Sequence, residues 1–269
     1  MNAKHRADLS EIKHTLALLF EPGTVVELRV PKAGRARTIS GYFDDQEALA
    51  KEAARLSGRF PGIYVTLNPV DPSLLARAYN RTAEYAETTT SDTNILCRRW
   101  LLIDADAKRP SGIAATDEEH DAGLAVVNQV RDYLTAQGWP APIVADSGNG
   151  GHLLYRIDPP ANDNGLVKRV LEALAARFDT DSVHIDSTVY NPARISKVYG
   201  TLSAKGDHTP DRPHRLSYLL DAPDQMQPVP LALLESFAAP SARPVASTPA
   251  LSSASPFDLA TWMQRYLPE

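Results

Sequence analysis

The 269-residue sequence has one cysteine, Cys97, so it can build neither an intrachain disulfide nor a cysteine-based zinc cluster. A reduced compartment is the default for such a chain. No apolar run reaches the ~18 residues that a membrane span requires. The first ten residues, Met1 to Ser10, are polar and contain no signal-peptide core. A cytoplasmic protein without a membrane partner is therefore expected. A basic excess is missing as well. Lys and Arg number 28 against 33 Asp and Glu, for a net charge of −5. That excludes a protein basic all over and leaves room for a basic cleft on an acidic body. The composition, 43% hydrophobic and 23% charged, is that of a globular chain long enough to bury a core unaided. No internal repeat is present.

Periodicity divides the chain into three stretches, residues 1–90, 91–237 and 238–269. In the first, helical spacing runs from Ser10 to Phe20 with Ser10 as cap, and again from Asp45 to Leu56. Thr24 to Val30, Ala36 to Phe43 and Gly62 to Leu67 read as strands, and Asp71 to Ala78 as a short helix. In the second stretch, Trp100 to Ala105, Ile143 to Asp146, His152 to Ile157, Val183 to Val189 and Leu216 to Leu220 read as strands. Asp117 to Gln137 and Asn164 to Phe178 read as helices, and Thr116 with Glu119 fits a capping box. Pro228 to Phe237 reads as a short helix. From Ala238 to Pro256 the chain is rich in Ser, Ala and Pro and reads as a linker. The helical remnant Phe257 to Glu269 after it suggests a fragment of a longer protein.

Three segments carry groups able to do chemistry. In Leu102-Ile103-Asp104-Ala105-Asp106, strand alternation puts Asp104 and Asp106 on one face, with Cα atoms roughly 6.5–7 Å apart. Two such carboxylates repel each other, and Mg²⁺ or Mn²⁺ would relieve that repulsion. The alternative is a solvent-facing turn in which Asp106 starts the loop Lys108-Arg109-Pro110. Asp146-Ser147-Gly148-Asn149-Gly150-Gly151-His152 is a hairpin signal. Its backbone N–H groups could also cradle phosphate oxygens and deliver His152 to the same ligand, or His152 could be structural. In His184-Ile185-Asp186, Asp186 is a third candidate carboxylate or a structural one. Arg194, Lys197 and Lys205 downstream form a basic stretch, either a ligand surface or a solvated face. Taken together and in this order, the segments supply what two-metal phosphoryl transfer requires: carboxylates for two cations, and cationic or N–H donors for a triphosphate.

In these segments the sequence resembles the archaeo-eukaryotic primase superfamily, in particular the primase–polymerase domains of phages, plasmids and integrated elements. The matching motifs are the acid-x-acid of Asp104 and Asp106, the Ser147 to His152 segment, and Ile185-Asp186. The flanks Arg98 to Asp104, Arg109 to Gly112, Tyr190 to Ile195, Tyr199 to Thr201, Gly41 to Phe43 and Tyr64 to Pro69 look similar too, so the likeness spans about Thr24 to Leu220. It implies an α+β fold, with a mostly antiparallel catalytic sheet flanked by helices and an N-terminal α/β subdomain. It implies that Asp104, Asp106 and Asp186 hold two Mg²⁺ or Mn²⁺ ions and that His152, with Ser147 beside it, meets the incoming phosphates. Arg194 matches a triphosphate-contacting Arg, and Lys197 and Lys205 match more loosely. The implied partners are a single-stranded DNA template and a dNTP or NTP. No zinc cluster of the kind many primases carry is present, so that module or a helicase would lie beyond Glu269 or on a partner. Two other readings use the same residues: a non-catalytic replication-initiator module that binds single-stranded DNA, and a metal-dependent phosphoesterase.

Overall fold

Two antiparallel sheets bring the candidate residues together. The structure, a computed structural model, describes residues 7–31 and 37–239. The chain divides after Ala238, and the remainder is a separate unit of which only residue 239 is described. The expected linker and terminal helix therefore lie outside the described residues, as does Ala36 at the start of an expected strand. The first half contains α1 (Leu9–Leu19), β1 (Val26–Val30), β2 (Ile39–Phe43), α2 (Gln46–Leu56), β3 (Tyr64–Thr66) and β4 (Trp100–Ala107). Next come α3 (Asp117–Ala136), β5 (Ile143–Asp146), β6 (Gly150–Arg156), α4 (Leu166–Phe178) and β7 (Val183–Ile185). Short strands β8 (Ile195–Lys197), β9 (Leu202–Ser203), β10 (Arg215–Leu216) and β11 (Tyr218–Asp221) precede α5 (Leu231–Ala238).

The larger sheet has the order β11-β5-β6-β4-β7 and the smaller β2-β1-β3-β8, while β9 and β10 form a two-stranded ribbon. Every pairing between these strands is antiparallel. The architecture is thus the expected mixed α+β fold with helices flanking antiparallel sheets. The smaller sheet takes three strands from before residue 90 and its fourth, β8, from the stretch after the last acid.

Local chemistry accounts for the main elements. Trp100 to Ile103 and Ala105 are buried, which anchors β4 inside the larger sheet, between β6 and β7. Helix α3 begins at the predicted capping box: Thr116 Oγ1 accepts from the Glu119 N–H at 3.1 Å, and Glu119 Oε2 accepts from the Thr116 N–H at 3.0 Å. This helix lies close against the sheet because two facing positions lack side chains. A Cβ on Gly123 would sit 2.9 Å from the Ala105 carbonyl oxygen, and one on Gly151 would sit 2.6 Å from Val127 Cγ2.

Some boundaries differ from expectation. Asp8, not Ser10, caps α1, accepting from the Glu11 N–H at 3.0 Å. The strand expected from Val183 to Val189 stops at Ile185, because the Asp186 carboxylate turns back onto the Thr188 N–H at 2.8 Å. The strand expected from Leu216 to Leu220 breaks at Ser217, leaving β10 and β11 in different sheets. The helix expected over Asp71 to Ala78 is a 3₁₀ helix, Pro72–Arg77. In the sequence, β8 and β9 stand out only as parts of a basic stretch. They are three and two residues long, and pairing with distant strands rather than local pattern makes them strands.

Candidate active site

Strand alternation puts Asp104 and Asp106 on one face of β4, each with about a quarter of its side chain exposed. Asp104 is in register with His152 on β6, and Asp106 with Gly150 on β6 and His184 on β7. Asp106 Oδ2 accepts from Arg109 Nη2 at 3.2 Å. The other oxygen of each acid, Asp104 Oδ1 and Asp106 Oδ1, is buried without a hydrogen-bond partner. The His152 Nε2 atom is 3.4 Å from Asp104 Oδ1, close enough for charge attraction and too long for a good hydrogen bond. The two acids respond to this setting in opposite directions. Burial would raise Asp104, but the His152 imidazole outweighs it, with help from Lys205 and His184, and holds the carboxyl below its ordinary value. Burial and then the charge of Asp104 push Asp106 up, against Arg109 and Lys205.

His152 is oriented from behind. Its Nδ1 is 2.7 Å from the Tyr199 hydroxyl. Burial pushes the Tyr199 phenol up, so it stays protonated and can donate to Nδ1. In that neutral tautomer, and equally in the charged ring whose attraction lowers Asp104, Nε2 carries the proton and faces Asp104.

The glycine-rich turn closes on itself. Its N–H groups, read as a phosphate cradle, are used within the turn. Gly148 N–H donates to Asp146 Oδ1 at 2.6 Å, and Gly150 and Asn149 N–H to Ser147 Oγ at 3.1 and 3.3 Å. Gly150 and Gly151 belong to β6 and do not line the cavity described below. Their lack of a side chain serves packing instead. A Cβ on Gly150 would lie 2.3 Å from the Ala105 carbonyl oxygen and 2.6 Å from Asp106 Oδ1. Asp146 Oδ2 and His120 Nε2 are 2.9 Å apart, which ties the turn to α3. Asn149 spans to two further segments, accepting from Ala115 N–H at 2.9 Å and donating to Ser203 Oγ at 2.6 Å.

A cavity of about 220 Å³ gathers most of the candidates: Asp104, Asp106, Asp186, Ser147 and His152 from the larger sheet and its loops, and Arg194, Lys197 and Lys205 from the basic stretch. Asp186 lies just beyond β7, with Oδ1 occupied by Thr188. Arg194 donates from Nη2 to the Thr188 carbonyl at 2.7 Å, while its Nε is buried and unpartnered. Lys197 is 4% exposed, and its Nζ lacks a hydrogen-bond partner and lies 5.1 Å from the centre of the Tyr64 ring. Burial, reinforced by the charge of Lys205, pushes it down to about 7. Among the described residues, no group of three or more His, Cys, Asp or Glu is assembled as a metal site. Even so, the acids suit a divalent cation. They offer hard oxygens on one face, and two of those oxygens are buried without any partner.

Tyr64, Asn149, Ser196 and Ser203 also line the cavity and were not singled out for it from the sequence. Tyr64 stands in a segment read as a strand, and Tyr199 in one noted only for overall likeness. Their positions depend on pairing between distant strands, which no local pattern records.

No family model matches the chain, and no curated protein matches it. Two solved structures are similar to it. The crystal structure of primase RepB′ matches with a TM-score of 0.50 at 12% identity, over 85% of this chain and 61% of that one. The catalytic domain of primase RepB′ in complex with initiator DNA matches with a TM-score of 0.48 at 11% identity, over 85% of this chain and 92% of that one. The chain thus spans about three fifths of the first neighbour's length. At this identity the likeness is one of fold: the chain has a fold similar to that of primase RepB′.

Proposed function

We propose that the chain is a template-directed nucleotidyltransferase of the primase–polymerase type, acting on single-stranded DNA with dNTPs or NTPs in the replication of a mobile element. One observation carries the reading. Asp104 Oδ1, Asp106 Oδ1 and Lys197 Nζ are buried polar atoms without hydrogen-bond partners, and their side chains line one cavity. Leaving such groups unpaired is costly in a folded chain. A cavity that combines anionic ligands with Lys197, Arg194, Lys205 and His152 suits a ligand that is itself mixed in charge, such as a metal-bound triphosphate. The fold shared with a solved primase points the same way.

Asp104, Asp106 and Asp186 would hold the divalent ions, which when bound lower the pKa of an attacking 3′-hydroxyl and neutralise charge on the phosphates. The chain's own groups do the rest. His152, held by Tyr199, presents Nε2–H to a phosphate oxygen. Arg194, Lys197 and Lys205 offset the charge that collects on the departing pyrophosphate. Tyr64 walls the site and, pushed up to about 12 by burial and the two nearby acids, remains neutral. A helicase or zinc module would come from beyond residue 269 or from a partner.

The test is extension of a primed oligonucleotide with labelled dNTPs or NTPs and Mn²⁺, with and without EDTA. Template-directed incorporation that EDTA abolishes is expected. DNA binding without incorporation would replace the proposal with an initiator module, and hydrolysis without templated synthesis with a phosphoesterase.

A further inference from the structure

Beside the cavity lies a larger cleft of about 730 Å³ that the proposed chemistry has not used. The two share only Tyr64, Asp106 and Lys205 as lining residues. We propose that this cleft seats the 3′-terminal nucleotide of the growing strand, so that its hydroxyl approaches from the Asp106 side. The inference rests on the nucleotidyl-transfer reading and adds where the second substrate sits.

Size comes first. Small-molecule sites occupy ~300–1,000 Å³. The cleft falls within that range and the cavity below it, so the cavity suits phosphates and the cleft has room for a nucleoside. The walls differ in kind. Those of the cavity present His152, Arg194 and Lys197, groups for binding anions. Those of the cleft also carry Arg109 and Lys205, but add Pro61, Pro110, Ile113 and the Tyr64 ring, flat or apolar surfaces for a sugar and base. His184 adds a buried Nδ1 that lacks a hydrogen-bond partner. At the exposed rim, Lys108 gives one of its three N–H donors to the Thr180 carbonyl at 2.6 Å and keeps two for a strand phosphate.

Direction decides between the two nucleosides in the reaction. In phosphoryl transfer the attacking and leaving oxygens lie roughly in line, on opposite sides of the transferred phosphorus. Arg194 and Lys197, assigned above to the departing pyrophosphate, line the cavity and not the cleft, so on that reading the leaving group lies on the cavity side. Asp106, in register with His184, opens onto the cleft. The attacking hydroxyl, and the strand end that bears it, therefore belongs in the cleft.

The experiment is photocrosslinking of the full chain in two arms, each with and without Mn²⁺. One probe is a primer–template whose primer ends in 4-thiothymidine with a free 3′-hydroxyl. The other is 4-thio-dTTP alone. Mass spectrometry maps the adducts. The primer probe should mark the 107–113 loop, Tyr64 or residues 205–206, and 4-thio-dTTP should leave that loop unmarked. Ser111→Trp, a substitution at an exposed loop position, should cut the primer adduct at least tenfold and change the 4-thio-dTTP adduct less than twofold. Its far-UV circular dichroism should match that of the wild type. Marking of the loop by 4-thio-dTTP, with the primer probe elsewhere, would give the cleft to the incoming nucleoside and overturn the inference. An unchanged primer adduct in Ser111→Trp would do the same. The primer adduct at the loop in a wild-type chain that incorporates nothing would uphold the cleft and sink the chemistry. No adduct from either probe would sink both.

Discussion

Asp104, Asp106 and Lys197 each bury a polar atom without a partner, and each side chain is more easily explained by what it binds than by what it does for folding. Two variants separate these roles. Asp106→Asn, which removes the carboxylate that burial and Asp104 push up, should cut nucleotide incorporation by at least ~10²-fold while leaving the melting temperature unchanged or higher, as followed by primer extension and thermal melting. Lys197→Met keeps most of the length of the side chain and removes its charge. The Lys197 pKa falls from its ordinary 10.5 to about 7 on folding, so the unfolded chain holds more protons between those limits. Wild-type stability therefore falls as pH drops from about 10.5 to about 7 and stays low below that. Lys197→Met should raise the melting temperature by at least ~2–4 °C below pH 7, with a smaller gain near pH 10, and should weaken triphosphate binding. A variant less stable than the wild type at pH 6 would contradict this. A third residue acts at one remove. Tyr199→Phe leaves His152 Nδ1 buried without its partner and should cost ~1–3 kcal/mol in chemical denaturation. Strand alternation made Asp104, Asp106 and His152 legible in the sequence. Tyr199 was not legible, since its distance from His152 is fixed by folding across 47 residues.

At the scale of elements, the turn before β6 shows where sequence reading reached its limit. The hairpin was legible from Asn149-Gly150 between two strands, and β5 and β6 formed where expected. The use of its N–H groups was not. Whether a glycine-rich turn faces a phosphate or closes on itself depends on side chains from elsewhere, here Asp146, Ser147 and His120. Asp146 raises the His120 pKa through their hydrogen bond, against the effect of burial. A raised histidine gives its full stabilisation below its ordinary 6.5 and loses it as pH rises through the folded-state value above that. Amide exchange at Gly148, Asn149 and Gly150, corrected for intrinsic rates, should therefore quicken as the pH rises through that window. His120→Phe should abolish this pH dependence. Equal protection across the window in the wild type would show that the turn holds without the charged pair.

Across the whole molecule, the fold gathers positive charge at one place without changing the net balance. Arg98, Arg99, Arg131, Arg212 and Arg215 are each paired with a carboxylate. Lys108 and Arg194 bond instead to backbone carbonyls, and Lys197 Nζ has no hydrogen-bond partner. With Lys205 these groups line the cavity or the adjoining cleft, so an acidic chain can still present a cationic site. Composition excluded a broadly basic surface but could not locate this cluster. Two of its members, Arg194 and Lys197, reach the site only because β8 joins β3 in the smaller sheet. The site is small, and so should be its counterion release. If three or four of these cations meet phosphates of a single strand, the slope of log binding constant against log salt should be about −2 to −3, at −0.7 per phosphate neutralised. Titration of a fluorescent single-stranded oligonucleotide across a range of salt concentrations measures it. A slope steeper than about −5 would require contacts with roughly eight phosphates or more, more than these residues can supply. The template would then have to run over a surface away from both cavity and cleft.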